Sequence, residues 1–343
     1  MNWSDFFQAI KTGNVPNLIL FSGPEEYLKR EAIAALRAAL LPPGLEALNE
    51  MVLEGASARE IMDAADTLPM MCDRRIVIVR DWAPMLPGKS KDEEGEIALI
   101  GKWIQNPPSG CVTVFTFRND PDNRKKATGL LRKAATVIEF DSLNDAQLKQ
   151  WANRRLKPYG KKIVPDALSA LAFMAGRDLT RLSGELDKLA AYVGDADTVA
   201  LADVHAIVSP SLEYNVFELM NRLLDGKLGD AEEMLSNLLQ NGQNPVGLLA
   251  MLSRQLRQLT HMRLALDAGQ PVLNVQEALK LHPYAAKQIA RQAKLRSANA
   301  FRALFEDAVE YDFAIKSGKI RDIEALGALM IKIADSKLAK RGN

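Results

Sequence analysis

Five short apolar runs alternate with helical stretches between Leu18 and Phe140, and no run of that kind follows Ser142. They are Leu18 to Phe21, Met51 to Leu53, Arg75 to Val79, Cys111 to Phe117 and Val137 to Phe140. Helical patterns fill the gaps, from Glu25 to Leu41, from Ser57 onwards, near Ile97 to Ile104, and from Lys125 to Ala134. Parallel strands cannot be joined by tight hairpins and need crossover helices, so this alternation predicts a parallel, doubly wound α/β sheet. A short amphipathic helix with Trp3, Phe6, Phe7 and Ile10, stopped by Gly13, precedes the first strand. A charged loop from Lys89 to Glu94 and the breaker Asn106-Pro107-Pro108 punctuate the later part.

Beyond Ser142 the period is helical to the C-terminus. A first group runs from Asn144 to about Val208 and carries Leu179, Leu182, Leu186 and Leu189 at three- and four-residue spacing. Ser209-Pro210-Ser211 reads as a linker. A second group holds the stripe Leu249, Leu252, Leu256 and Leu259, then helices near Tyr284 to Leu295, Ala298 to Ile315 and Asp322 to Leu338. The layout is an α/β domain over 1-141, a small helical domain over 142-209 and a larger helical domain over 210-343. A chain of 343 residues is long enough for two or three cores.

Composition excludes several classes. Hydrophobic residues at 48% and charged residues at 25% match neither disorder nor a membrane protein. No apolar run approaches the roughly 20 residues that span a bilayer. The N-terminus shows no signal-peptide pattern, so the expected location is the cytoplasm. Two cysteines, Cys72 and Cys111, and three dispersed histidines, His205, His261 and His282, leave little material for a structural zinc site or a disulfide framework. A net charge of +1 means that any nucleic-acid affinity must come from local patches.

Thr67 to Arg75 puts bare hydrophobes where a loop should be polar. The helix before it starts at a capping box, Ser57 with Glu60, and its inward stripe is Ile61, Ala65 and Leu68. At about 100° per residue from Ile61, Met70 falls on the opposite side and Met71 about 80° away. One helical register cannot bury both methionines in the core that takes Leu68. Pro69 breaks the pattern and suits the start of a new short turn. The pair either folds back as satellite core or forms an apolar plug for a partner's groove.

The first strand-turn-helix stands where a phosphate-binding loop would lie. Gly23 fits the first glycine of G-x-x-x-x-G-K-[ST] and Lys29 its lysine, but Leu28 replaces the second glycine and Arg30 the Ser/Thr. These changes remove the permissive backbone around a phosphate and the hydroxyl ligand of Mg²⁺. Lys29 is therefore expected to be a solvated surface lysine. The strong central strand ends in Arg80-Asp81-Trp82, without the acidic pair that would hold Mg²⁺. No H-E-x-x-H, G-x-S-x-G or C-x-x-C occurs, so no intrinsic active site and no cofactor are expected. The acids Glu306, Asp307, Glu310 and Asp312 read as a solvated face, and His205 as structural. Basic residues are the remaining candidates. Arg254, Arg257 and His261 lie away from the leucine stripe, whereas Arg263 turns back to the apolar side. Lys287, Arg291, Lys294, Arg296 and Arg302 occur without an intervening acid. Arg254, Arg257, Lys287, Arg291 and Lys294 are candidates for contact with DNA or with another subunit.

Together these features resemble the delta subunits of bacterial DNA polymerase III clamp loaders over nearly the whole chain. The stretches that carry the likeness are Phe21 to Leu28, Thr67 to Val79, Gly176-Arg177-Asp178-Leu179 with Gly184 to Leu189, Asn244-Pro245 leading to Leu252 to Arg257, His282 to Lys287, and Asp312 to Gly318. The resemblance implies an AAA+ type α/β domain with a degenerate nucleotide site, a helical lid and a helical collar that joins a pentameric loader. It implies binding and opening of the sliding clamp (beta), with ATP hydrolysed by neighbouring subunits. The implied partners are the gamma/tau ATPase, delta-prime and primer-template DNA within the complex, without a membrane. By the same resemblance the clamp contact falls on Met70 and Met71, flanked by Leu68 and Pro69; some members carry an aromatic residue where this chain has Met71. Alternatives are an ATP-hydrolysing AAA+ subunit and a DNA-binding scaffold protein. The sister delta-prime subunit is disfavoured because its Ser-Arg-Cys motif and zinc-binding cysteines do not occur here.

Overall fold

The computed structural model describes residues 1–88, 92–281 and 283–335. Two compact units make up the chain, the first from Met1 to Asp145 and the second from Ala146 on.

The first unit holds a parallel sheet of β1 (Leu18–Ser22), β2 (Glu50–Glu54), β3 (Arg75–Arg80), β4 (Cys111–Thr116) and β5 (Thr136–Glu139), in the order β2-β3-β4-β1-β5. Each connection along the chain passes through a helix, namely Glu26–Leu40, Ala58–Asp66, Glu93–Trp103 and Lys126–Ala134. β1 and β4 are buried along their whole length and β3 up to Val79, as continuous apolar runs should be in a sheet covered on both faces. On one face Leu18, Leu20, Val77, Val79 and Phe115 pack with Ile61, Ile100 and Leu131 from the crossover helices. On the other, Phe21 stacks edge-on against Phe140 and against Phe6 of the Trp3–Lys11 helix. β2 is an edge strand with Met51 and Val52 exposed, which accounts for its weak sequence signal. Glu93 and Glu94, expected in a charged loop, already belong to the helix, while Lys89 lies outside the described residues.

The second unit is helical except for one detail. β6 (Lys162–Ile163) and β7 (Thr198–Val199) form a parallel pair, so strand structure does not end at Ser142. Two residues are too few for a period-2 pattern to register in sequence. The longest helix, Pro245–Asp267, buries Leu249, Leu252, Leu256 and Leu259 as the stripe required. Ser211 is held rather than loose: its amide donates to the Met174 carbonyl at 2.7 Å and its hydroxyl accepts from the Tyr214 amide, capping the Leu212–Leu224 helix. The last helix is Asp322–Ala334, and Leu338 lies outside the described residues. Among the described residues no helix is long and apolar enough to cross a membrane.

Both cysteines are free thiols. Cys111 is buried at the start of β4, and burial pushes its thiol up from the ordinary value, so little reactive thiolate forms at mildly alkaline pH. A thiol reagent at about pH 8 should modify Cys72 and spare Cys111 in the native chain, with both reacting in denaturant; peptide mass mapping checks the order.

Candidate functional site

The Ala58–Asp66 helix opens on the Ser57–Glu60 capping box and stops at Thr67, whose backbone is extended (φ −63°, ψ 128°). The Thr67 hydroxyl donates to the Asp63 carbonyl at 2.7 Å, closing the last turn before Pro69. Leu68 does not join the inward stripe. It is 81% exposed, because the helix ends before the register that would have carried it inward. Met70 is 53% and Met71 83% exposed, and Met71 takes the left-handed conformation with φ +58°. Three large apolar side chains therefore stand on one short turn ahead of β3.

The ends of that turn are fastened. The Arg75 guanidinium, buried at the start of β3, donates to the Thr67 carbonyl at 3.1 Å. Arg74 donates to the Val15 carbonyl at 3.1 Å and to the Asn17 side chain. Gly110 faces Pro69 so closely that an added Cβ would touch its ring at 3.4 Å. The Cys72 thiol donates to the Arg74 carbonyl at 3.1 Å.

The loop after β1 has its polar groups occupied from within. The Gly23 amide donates to the Asp120 carboxylate at 2.6 Å, and the Glu25 amide to the Phe140 carbonyl at 2.9 Å. Gly23 sits at φ +103°, and a Cβ there would collide with the Phe140 carbonyl. A carboxylate thus stands on an amide that a phosphate oxygen would need, and it adds a like charge against any anion. Lys29 is not a solvated lysine as expected from sequence. It is 1% exposed, donating to the Phe117 carbonyl at 2.6 Å and pairing with Glu26 at 2.6 Å. Leu28 is buried in the first unit and Arg30 is exposed. At the end of β3, Asp81 accepts from the Arg118 amide at 3.0 Å, which ties it to a neighbouring loop. Among the described residues no cluster of His, Cys, Asp or Glu could hold a metal ion.

Arg254 and Arg257 are exposed on the Pro245–Asp267 helix, and Lys287 and Arg291 on the Pro283–Ala293 helix, with Lys294 exposed just beyond it. The two helices approach through Gln255 and Gln292, 3.5 Å apart. Arg296 leaves the basic set: it is buried and donates to the Ile333 carbonyl, and burial pulls its guanidinium down from the ordinary value. Arg302 pairs with Glu306 at 3.0 Å. Arg263 pairs with Asp267 at the apolar margin. His205 is exposed near the end of the Leu201–Ile207 helix. His282 lies outside the described residues. Sequence reasoning missed Asp120 and Arg75, because each acts through a backbone partner that no local motif announces.

Family models match two stretches, residues 19–141 as "DNA polymerase III, delta subunit" and residues 213–333 as "DNA polymerase III delta subunit, C-terminal domain". The chain is 28% identical over 320 residues to the DNA polymerase III subunit delta of Bacillus subtilis, covering 92% of each chain. It is 25% identical over 203 residues to a probable DNA polymerase III subunit delta of Aquifex aeolicus, covering 58% of this chain and 57% of that one. The solved Bacillus subtilis DNA clamp loader delta protein matches with a TM-score of 0.60 and 26% identity, over 97% of this chain and 99% of that one. A parallel α/β sheet domain followed by a long helical remainder, with this likeness, defines a clamp-loader subunit that acts in DNA replication. The chain belongs to the DNA polymerase III delta subunit family, accessory subunits of that polymerase whose family role is opening the sliding clamp.

The occupied lysine makes a direct prediction. Lys29→Ala leaves the Phe117 carbonyl without its donor in a buried site, so it should cost about 1–3 kcal/mol in urea denaturation. A solvated lysine would give a change within about 0.5 kcal/mol.

Proposed function

We propose that this chain binds the sliding clamp (beta) through Leu68, Pro69, Met70 and Met71, and that this contact opens the ring. The observation that carries the reading is the exposure of Leu68, Met70 and Met71 on a turn whose ends are tied to β3 and to the loop before β1. An apolar patch held out on a fastened backbone loses little freedom when it enters a groove. Burying a large apolar side chain contributes roughly 1.5–3 kcal/mol. Moving a two-state ring from mostly closed to mostly open needs a difference in affinity of about 5.5 kcal/mol. Three such side chains reach that magnitude only if most of their contact forms on the distorted interface, so the plug acts by preferring the open ring.

The Gly23 amide and the Lys29 ammonium have their partners inside the chain, which supports leaving ATP hydrolysis to the neighbouring gamma/tau subunits and expecting no active site and no cofactor here. In this reading the chain divides into an AAA+ type domain (1-141), a lid (142-209) and a collar (210-343), and its contacts with gamma/tau and delta-prime fall on the collar. Arg254, Arg257, Lys287, Arg291 and Lys294 then face primer-template DNA or a neighbouring subunit in the assembled loader, in the cytoplasm.

Met70→Asp with Met71→Asp should abolish clamp binding in surface plasmon resonance while the chain keeps its far-UV circular dichroism; unchanged affinity would overturn the clamp reading. Bound clamp should also protect Cys72 from thiol labelling. Isothermal titration of the isolated chain with ATP should show no binding in the micromolar range, and a micromolar Kd would reinstate a nucleotide-binding reading of the loop.

A further inference from the structure

The middle of the apolar turn is held by a single side chain. Asn49 ends the short Glu46–Asn49 helix immediately before edge strand β2, and it is 0% exposed. Its Oδ1 accepts from the Met70 amide at 2.7 Å, and its Nδ2 donates to the Met70 carbonyl at 2.9 Å. The same Nδ2 donates to the Leu45 carbonyl at 3.1 Å, which settles which way round the amide lies. Both backbone groups of Met70 are thus satisfied by one side chain, as a neighbouring strand would satisfy them.

We infer that Asn49 is the positioning residue of the clamp-binding turn, locking Met70 and the left-handed Met71 into the conformation that presents their side chains. The inference rests on the clamp reading above only for its consequence; the lock itself is a property of the free chain. Thr67 is fixed by Arg75 and the far end by Arg74, and between them the half-exposed Met70, which lies outside any strand or helix, is held by Asn49. Without Asn49 its amide and carbonyl can turn to water, so the main effect of the loss falls on the turn's order and not on the fold. A turn free to move must be ordered on binding, and ordering several residues costs enough to lower affinity by at least tenfold. Met71 adds to this, because the left-handed region disfavours a non-glycine residue and is kept only where surroundings impose it.

Two measurements on the full chain separate the lock from its consequence. In the free protein, Asn49→Ala should raise the labelling rate of Cys72 about tenfold while Cys111 stays unreactive. An unchanged Cys72 rate would overturn the inference. Asn49→Asp keeps the volume and the acceptor for the Met70 amide but loses both donors, so it should raise the rate without leaving a cavity; it is the variant to read if Asn49→Ala exposes Cys111. Against the clamp, Asn49→Ala should weaken binding about tenfold or more, and the effect should vanish in a Met70→Ala, Met71→Ala background. A full additional loss in that background would mean that Asn49 acts elsewhere and would sink the positioning role. Clamp binding untouched by Met70→Ala with Met71→Ala would count against the clamp reading and leave the Cys72 result to judge the lock.

Discussion

Parallel pairing of β3 with β2 on one side and β4 on the other is the constraint on which the rest depends. A strand buried up to Val79 must have its backbone groups paired along its length, so its start at Arg75 is set by the register with Cys111 and Glu50 as neighbours of Arg75 and Ile76. That register places the Arg75 guanidinium where it reaches back to Thr67. It also fixes β2, and with it Asn49 one residue earlier. The exposed turn is therefore an outgrowth of the sheet's pairing: the segment between the end of one helix and the start of β3 takes its partners from the segments that precede β2 and β1 and from Arg75 of β3 itself.

The same sheet order positions the loop after β1. β1 lies between β4 and β5, so the loop after it meets the segments that follow both of them. Phe117 and Asp120, beyond β4, take the Lys29 ammonium and the Gly23 amide, and Phe140, beyond β5, takes the Glu25 amide. In a phosphate-binding loop those donors would face an anion. Here a protein carboxylate and two carbonyls accept from them instead.

How far these features could be read ahead differs by the range of their causes. The five strands, the capping box at Ser57 and the leucine stripe from Leu249 to Leu259 were legible, because periodicity and local capping chemistry involve residues within a few positions of one another. Leu68 was misjudged by counting a helical register past the point where the helix stops, although Pro69 already disfavours helix at the preceding residue. Lys29 was misjudged because its acceptor, the Phe117 carbonyl, is 88 residues away. Arg296 looked like one more surface base until the helix Asp322–Ala334 supplied the carbonyl of Ile333. Long-range pairing of a polar group with backbone leaves no pattern in a single sequence.

The methionine turn shows the division most clearly. Sequence alone determined that Met70 and Met71 could not enter the core through the preceding helix, since one helical register has one inward face. It also determined the family, through the order and spacing of its motifs, and hence a clamp-loader role. Only the tertiary structure decided that the turn is fastened and not loose. The partners that hold it come from Asn49, Asn17 and Val15, which the chain brings to the turn only once β1, β2 and β3 lie in one sheet.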